Sequence, residues 1–540
     1  MARLTAVLAV SMAVLALAGC SGSNASPAAT TESTDSTIAS PSGPIDGGTL
    51  DIAVAAAPSK WAPNRGPWTT DELQAARAVY DRLMVRDSND QPVPELLSKV
   101  SANSNFTSWT LVVREGVTFS DGSPLTSEIV AFNLRAQQAD PSNTDLLAPI
   151  SAITTPDAQT VVVSMFTPWS TFPQLLTTRL GTIAAPATLL GFDPRPIGTG
   201  PFVWFGVDEA GITIVVKNPT YWKKGLPHLD GVRFLPIPEA ADRVTAALEG
   251  KVGMVAIDEP RQLQRLETVP NRDEKITLHD DRNAERPKVN IAFETGRAPF
   301  DRISARRAVA LATDRTEILS KAFAGQGSIA RGMVSDTSPW FVDHSRSARD
   351  LDRARKQVEE YTKETGVPLA FRLLVAPDTT LERVASLWRG QLEEVGIDMT
   401  IDLVDPQTLS LAAVLGQFQA ILQIGFDSSH PDAYEPLFRG IPAEQAVVSG
   451  NTTRYISPLV TKSFADARTT ADVTRQVDAY GTIQEQVAID IPYLFLVQLR
   501  EVVVTTPKLR DVTNWSSGSG AGGLGQDDAT VSLAQMWLAR

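Results

Sequence analysis

The fold can be recognised first in the stretch WTLVVREGVTFSDGSPLT, residues 109–126. Its first six residues combine aromatic and β-branched side chains and predict a strand over 109–114. Asp121 and Gly122 then form a dipeptide that is typical of a tight turn. Short strands of this kind recur on both sides of the stretch, with helical patterns between them. The sequence therefore predicts a mixed α/β fold.

Hydrophobic periodicity predicts the other elements. The capping box of Thr69 and Glu72 predicts the start of a helix whose apolar spacing continues to Met84. Two further helices are predicted over residues 304–323 and 381–395. Further strands are predicted at Thr49–Val54, Thr160–Met165, 212–217, 231–237, 371–375, 399–404 and 419–424.

The N-terminal residues predict export and lipid attachment. Arg3 supplies a positive charge, and residues 4–18 form an uncharged, mostly apolar run. This run is shorter than the roughly 20 residues of a membrane span, and it predicts a secretory signal peptide over residues 1–19. Leu17-Ala18-Gly19-Cys20 matches the lipobox of bacterial lipoproteins, which implies lipidation of Cys20. The alternative is an ordinary signal peptide in which Cys20 occurs by chance.

Composition excludes several classes of function. Cys20 is the only cysteine in 540 residues, so internal disulfides and thiolate zinc sites are excluded. The net charge is −13, and no basic stripe suits a nucleic acid. Residues 20–47 are rich in Ser, Thr, Ala, Pro and Gly and predict a flexible tether. No other segment is apolar enough to span a membrane, so the lipid is the only predicted membrane attachment.

The motifs of common enzymes are missing from the sequence. The four histidines are widely spaced and form no His-x-x-x-His pair, and no Gly-x-Ser-x-Gly elbow occurs. Residues 518–523 satisfy Gly-x-Gly-x-x-Gly, but they follow no long strand and open no helix. We therefore expect neither an enzyme nor a bound metal or other cofactor.

Several motifs occur in an order that resembles one known family, the oligopeptide- and dipeptide-binding lipoproteins of solute-binding protein family 5 of ABC importers. They cover roughly residues 48–500. The motifs are Tyr80-Asp81-Arg82-Leu83, Pro94-Glu95-Leu96-Leu97, the 109–126 stretch, Ile197-Gly198-Thr199-Gly200-Pro201-Phe202, Asn218-Pro219-x-Tyr221-Trp222, Pro227-x-Leu229-Asp230, Pro299-Phe300, Arg306-Arg307-Ala308-Val309 and Thr313-Asp314-Arg315. For most of these residues, Tyr221 and Trp222 included, we expect a structural role.

The resemblance implies a two-lobe fold of the periplasmic-binding-protein type, of the type II, large peptide-binding class. Lobe I is expected over residues 48–286 and 500–540, with an inserted subdomain at about 71–197, and lobe II over 287–499. Two crossing strands near Lys288–Phe293 and residues 493–504 are expected to form the hinge. Closure of the lobes around a solute is expected to follow.

The resemblance also indicates where the ligand binds. Peptide-binding members hold the ligand ammonium with a carboxylate in a Gly-Trp-x-x-Asp-x-x-Asp-Pro segment. Aligning Gly425-Phe426 with Gly-Trp places Ser429 at the position of this carboxylate and Asp432 at that of the second Asp. A shift of two residues places Asp427 there instead, but loses the aromatic match. The predicted ligand-binding residues of this segment are therefore Phe426, Asp427, Ser429 and Asp432.

A second departure concerns the ligand carboxylate. Dipeptide-binding members place an Arg directly after the strand at 371–375, where this chain has Val375 and Ala376. An unpaired buried ion is costly, so a closed dipeptide clamp is not expected. Longer peptides, capped peptides or a non-peptide solute fit better.

Three tryptophans complete the predicted site. Trp61 and Trp68 lie in a Pro/Gly-rich loop after the first strand, and Trp340 lies in a loop of lobe II. The resemblance implies that they approach the cleft, and the alternative is packing inside each lobe. Trp388 lies on an apolar helical face and is expected in the core.

The predicted function is that of a lipid-anchored, extracytoplasmic and monomeric receptor of an ABC importer. It captures a peptide or peptide-like solute and delivers it to a membrane permease with ATPase subunits. The alternative is a lipoprotein of the same fold that acts as a cell-envelope regulator or sensor without transport.

Overall fold

The structure is a computed structural model that describes residues 43–191, 195–280, 285–344, 348–440, 450–527 and 530–540. Residues 44–540 form one compact unit. The predicted signal peptide, Cys20 and most of the predicted tether lie outside the described residues. In the part of the chain that is described, no helix combines the length and apolarity needed to cross a membrane.

Strands and helices alternate along the described chain, which confirms the mixed α/β class. The strands are β1 (Thr49–Val54), β2 (Met84–Arg86), β3 (Pro92–Pro94), β4 (Leu97–Ala102), β5 (Ser108–Val113), β6 (Ile150–Thr154), β7 (Thr160–Met165), β8 (Phe202–Val207), β9 (Thr213–Lys217), β10 (Gly231–Pro236), β11 (Met254–Ile257), β12 (Thr277–His279), β13 (Lys288–Phe293), β14 (Ser328–Ile329), β15 (Ala370–Val375), β16 (Asp398–Leu403), β17 (Ala420–Gly425), β18 (Tyr493–Gln498), β19 (Val502–Thr505), β20 (Leu509–Arg510) and β21 (Trp537–Leu538).

The helices range from single turns to 18 residues. They are α1 (Thr70–Val79), α2 (Ser127–Ala139), α3 (Thr144–Leu147), α4 (Phe172–Leu175), α5 (Pro186–Leu190), α6 (Ala240–Leu248), α7 (Pro260–Glu267), α8 (Arg272–Lys275), α9 (Ile303–Ala312), α10 (Arg315–Ala322), α11 (Leu351–Thr365), α12 (Thr379–Glu393), α13 (Pro406–Leu415), α14 (Glu435–Phe438), α15 (Pro458–Arg468) and α16 (Val473–Asp490). Short 3₁₀ helices span Pro141–Asn143, Arg179–Gly181 and Pro431–Tyr434.

Two large sheets divide the chain. A seven-stranded sheet has the order β12-β19-β11-β1-β10-β9-β8, and a six-stranded sheet has the order β14-β18-β13-β17-β15-β16. The first sheet takes its strands from both ends of the unit and the second from the middle, so we call these parts lobe I and lobe II. The residue boundaries of the lobes stay a prediction.

The connections between the two sheets run close together. In lobe II, β13 is the neighbour of β18, and both strands are buried along their whole length. The chain leaves β18 at Gln498 and enters β19 of lobe I at Val502, so the single long strand that we expected over 493–504 is in fact two strands. The second connection joins β12 of lobe I to β13 of lobe II.

The 109–126 stretch lies in a separate antiparallel sheet of order β4-β5-β7-β6. Trp109, Leu111 and Val113 of β5 face its core. The Asp121 carboxylate accepts a bond of 2.9 Å from the backbone N–H of Ser123 and closes the predicted turn. Thr126 then caps α2 by accepting from the N–H of Ile129. The strand and the turn predicted for this stretch are confirmed.

Two predicted helices end earlier than expected. The helix expected over 304–323 is two helices, α9 and α10, because Thr313 has an extended backbone and Asp314 caps the second helix at the N–H of Glu317. The first helix ends at Val79, whose carbonyl accepts the N–H of Gly200. A Cβ at Gly200 would lie 2.4 Å from the Val79 carbonyl carbon, so only glycine permits this approach.

Four of the family motifs meet at one buried carboxylate, that of Asp81. It accepts hydrogen bonds from the Thr199 hydroxyl (3.2 Å), the Tyr221 hydroxyl (3.1 Å) and the Trp222 indole (2.8 Å). Burial, together with the nearby Glu95 carboxylate, raises the pKa of Asp81 to about 6. The structural role expected for Tyr221 and Trp222 is confirmed.

Candidate functional site

The segment that aligns with the ligand-binding segment of the family follows β17 of lobe II. We call residues 425–432 the site loop. Its first residue, Gly425, pairs with Lys288 at the start of β13, and Lys288 also faces Gln498 at the end of β18. The site loop therefore begins where the chain passes between the two lobes.

Lys288 is the residue that holds the start of the site loop. Its side chain is 0% exposed, although it opens an otherwise mostly apolar strand. The ammonium donates to the Phe426 carbonyl at 2.8 Å, to the Arg286 carbonyl at 3.1 Å and to the Glu285 carboxylate. Burial lowers the pKa of Lys288, and the Glu285 charge opposes this shift. All three ammonium hydrogens thus have acceptors inside the protein.

Glu285 connects this lysine to a second loop of lobe II. Its carboxylate accepts the backbone N–H of Ser335 at 3.0 Å, and the Ser335 hydroxyl accepts the side-chain amide of Gln498 at 3.1 Å. Burial raises the pKa of Glu285, while Lys288 acts in the opposite direction. The result is a buried network at the crossing point, directly beneath the site loop.

Phe426 and Asp427 point in opposite directions. Phe426 has a φ of 59°, which is strained for an aromatic residue, and its ring is 4% exposed. The ring packs against Tyr493 and Phe495 of β18 with centroid distances of 4.9 Å. Asp427 is exposed. The buried ring thus fixes the backbone that presents the Asp427 carboxylate to solvent.

Asp432 joins the far end of the site loop to lobe I. Its buried carboxylate accepts the Trp169 indole N–H (2.8 Å), the Thr171 hydroxyl (2.7 Å) and the Nε–H of Arg468 (2.7 Å). Burial alone would raise the pKa of Asp432, but Arg468 and these hydrogen bonds hold it below the usual value. Trp169 belongs to the core of the separate four-stranded sheet, so this carboxylate ties lobe II to that part of the chain.

An aromatic group supports the middle of the loop. His430 lies edge-on to Trp340, with a ring-centroid distance of 4.6 Å, and Tyr480 packs against both rings. Burial lowers the pKa of His430 to about 4, so the imidazole is neutral at pH 7. Its Nδ1 accepts the backbone N–H of Asp432. The structure therefore brings Trp340 together with the site loop, where its ring is 6% exposed.

The other two predicted tryptophans lie against lobe I. Trp61 and Trp68 are half-buried and pack on the lobe I core, and Trp68 stacks on Tyr80 at 6.3 Å. Their role in ligand binding stays a prediction.

The polar chemistry of the site is limited. Ser429 is half-buried and neutral, Asp427 supplies an exposed carboxylate, and Val375 is fully buried at the position where dipeptide-binding members have an Arg. Among the described residues, no group of three His, Cys, Asp or Glu side chains is arranged to hold a metal ion. The site can offer a cation one carboxylate, apolar surface and backbone groups.

The sequence did not predict the roles of Lys288, Glu285, Trp169, Thr171 and Arg468. Only Lys288 gave a signal, because a lysine in a strand whose other residues are mostly apolar is expected to be buried and then needs an ion-pair or hydrogen-bond partner. The others lie far from the loop in sequence and become neighbours through the fold.

Comparison with known proteins agrees with this fold. Residues 91–440 match the family model of bacterial extracellular solute-binding proteins, family 5 Middle. The chain is similar to the glutathione-binding protein GsiB of Pectobacterium atrosepticum, with 25% identity over 455 residues that cover 80% of this chain and 85% of that protein.

Two solved structures share the fold. The PBP AgaA from A. tumefacien R10, in complex with agropinic acid, has a TM-score of 0.76 at 21% identity and covers 91% of this chain and 99% of its own. The oligopeptide-binding protein AppA from Bacillus subtilis, in complex with a nonapeptide, has a TM-score of 0.71 at 18% identity and covers 92% of this chain and 100% of its own. These matches confirm the fold class that the sequence predicts.

Proposed function

Since the chain belongs to the bacterial extracellular solute-binding proteins of family 5, we propose that it is the receptor of an ABC importer and that its solute is a peptide or a peptide-like molecule. Proteins of this family bind solutes outside the cytoplasm and work with permease and ATPase subunits, and they are not enzymes. We further propose that this chain is a monomer, anchored to the membrane by a lipid on Cys20, and that it delivers its solute to a permease.

The observation that carries the proposal is how the site loop is held at its two ends. Lys288 holds its first residues at the crossing point, and Asp432 ties its last residue to Trp169 and Thr171, which the predicted boundaries assign to lobe I. A solute that contacts this loop is therefore able to change the relative free energies of open and closed lobes.

The residues favour a ligand with one cationic or polar end. Asp427 is the exposed carboxylate of the loop. Its negative charge acts to raise the pKa of both Glu285 and Lys288. A ligand ammonium that paired with Asp427 would form a charge-assisted hydrogen bond. Because Ser429, Val375 and Ala376 are uncharged, we propose a longer peptide, a capped peptide or a peptide-like solute in preference to a dipeptide.

Thermal melting of the compact unit, residues 44–540, tests the proposal. The probes are a peptide pool of defined lengths, glutathione, free amino acids, sugars, nickel and haem. A solute that binds only the folded protein raises the melting temperature by mass action. We expect peptides to raise it, and Asp427→Ala to reduce that rise.

The matched control is Asp478→Ala, which removes an exposed carboxylate from α16 of the same lobe. It should leave the ligand-induced rise unchanged. If no solute class raises the melting temperature of folded, ligand-free protein, the receptor proposal fails, and the alternative function as an envelope regulator or sensor takes its place.

A further inference from the structure

A cavity lies in lobe II, and the site loop does not line it. Its volume is about 920 Å³, and it is bounded by α9, the start of α10, α11, the end of α16, β14 and the part of β18 that does not pair with β14. Its described lining residues all belong to lobe II, and none belongs to residues 425–432. The space is large enough for a ligand of drug size.

The walls combine apolar surface with positive charge. Ile329, Met333, Phe341, Val487 and Leu494 supply apolar surface. The described lining also contains six arginine and lysine side chains and one carboxylate, that of Asp314: the cations are Arg307, Arg315, Arg331, Arg349, Arg353 and Lys356. Asp314 already caps α10, so the cavity has an excess of cations.

Only part of this positive charge is neutralised. Three of the cations pair with carboxylates, namely Arg331 with Asp343 at 3.2 Å, Arg349 with Glu394 at 2.6 Å and Arg353 with Asp350 at 4.0 Å. Arg307, Arg315 and Lys356 form no ion pair with a carboxylate of the described chain. Among the described residues, three positive charges at this cavity therefore have no paired carboxylate.

Arg315 is the most informative of the three. It lies at the start of α10, and its Nε donates to the Phe495 carbonyl at 2.7 Å. Burial lowers its pKa, and no carboxylate offsets this effect. A guanidinium stays charged in proteins, and a buried charge without a partner costs free energy. Two other lining residues, His344 and Gln357, carry buried polar atoms without a hydrogen-bond partner among the described residues.

We propose that this cavity is a second binding site, and that it takes an anionic amphiphile: a carboxylate head group that pairs with Arg307, Arg315 and Lys356, on an alkyl chain that lies along the apolar wall. The anion supplies the missing counter-charge, and the chain removes apolar surface from water. The site shares no lining residue with residues 425–432, although Tyr493 and Phe495 line it and also pack against Phe426.

Calorimetric titration of residues 44–540 with decanoate, below its micelle concentration, tests this proposal. We expect one decanoate per protein, and binding of decanol and of inorganic phosphate that is at least about tenfold weaker. The double variant Arg307→Gln/Lys356→Gln should weaken decanoate binding by at least about tenfold. Both residues are exposed, so their replacement leaves the core intact.

Two further variants separate cavity binding from general attraction to charge. Lys224→Gln/Lys363→Gln removes the same charge from exposed positions outside the cavity and should leave the affinity unchanged. Ala488→Trp, at the end of α16, keeps every cation but fills the cavity and should abolish binding. The proposal is wrong if decanoate does not bind, if decanol binds equally well, or if the Arg307/Lys356 double variant keeps full affinity.

Discussion

Asp432 accepts three side-chain hydrogen bonds and has its counter-charge in Arg468. The predicted boundaries assign Trp169 and Thr171 to lobe I, and with that assignment the energy of this group depends on the relative position of the lobes. His430, two residues earlier, supports the same turn through its Nδ1. Both side chains have shifted pKa values, so both link stability to pH.

The first prediction concerns Asp432→Asn. The substitution removes the nearer of the two carboxylates that pair with buried Arg468 and leaves Glu435 at 3.5 Å, so we expect a loss of about 3 kcal/mol in the free energy of unfolding at pH 7. The folded-state pKa of Asp432 is lowered, so its contribution is present above the usual value of 3.8 and is lost as the pH falls through the folded-state pKa. The difference between variant and wild type should therefore shrink in acid.

Urea denaturation across this pH range measures both effects. Asp466→Asn, which breaks an exposed pair with Lys462 in α15, is the control and should change stability by less than about 1 kcal/mol. Equal stabilities of Asp432→Asn and this control would contradict the role assigned to Asp432.

The second prediction concerns His430→Asn. Because burial lowers the pKa of His430 from 6.5 to about 4, the unfolded chain binds the proton first as the pH falls. Its contribution to stability is therefore full above pH 6.5 and is lost as the pH falls towards about 4, by about 3 kcal/mol in total. The variant should lack this part of the pH dependence.

Tyr480→Phe is the matched control, since it keeps the aromatic contact with His430 and should keep the pH slope of the wild type. Free energies of unfolding between pH 4 and 7 distinguish the variants. A slope for His430→Asn as steep as that of the wild type would show that His430 is not the group responsible.

The strands and helices show what a sequence can and cannot predict. The bounds of β1 and β7 agree with the sequence patterns to the residue, because alternation and β-branched content are local signals. The break between α9 and α10 was missed, since it depends on Thr313, whose hydroxyl accepts the indole N–H of Trp388 at 2.8 Å. Trp388 itself is fully buried, as expected.

The candidate site was also predictable only where local sequence determines it. The site loop was found from its motif, and its position after β17 follows from local sequence. Its anchors were not found, because Trp169 and Thr171 lie 263 and 261 residues from Asp432 in the chain. Contacts of this kind depend on the packing of two lobes, which no local pattern encodes.

The third prediction concerns β13. Lys288→Met leaves Glu285 buried without its partner, so we expect a loss of about 3–5 kcal/mol in the free energy of unfolding. The double variant Lys288→Met/Glu285→Gln removes both charges and should recover part of that loss. A double-mutant cycle measured by urea denaturation gives the coupling between the two residues. Additive effects would contradict a direct ion pair beneath the site loop.

At the level of the whole molecule, the two sheets, their two connections and the bridging site loop fit a receptor whose lobes respond to a solute. The crossing connections join β12 to β13 and β18 to β19, and the loop contacts β13 and β18. Export and anchoring would then bring this receptor close to a membrane permease.

The fourth prediction concerns this anchor. In the full chain, Cys20→Ser should abolish incorporation of labelled palmitate and release the protein from the membrane fraction, because Cys20 offers the only thiol. Ser21→Ala is the control and should change neither result. Membrane attachment that persists in Cys20→Ser would contradict lipidation at this residue.

The fifth prediction tests the central proposal, that a solute binds at the site loop and stabilises segments of both lobes. Hydrogen exchange of residues 44–540, followed by mass spectrometry, is compared with and without a saturating peptide from the melting screen. We expect slower exchange in residues 425–434, at the ends of β13 and β18, and around Trp169 and Thr171. Unchanged exchange rates in these segments, or slower exchange only at the residues that line the lobe II cavity, would contradict the proposed site.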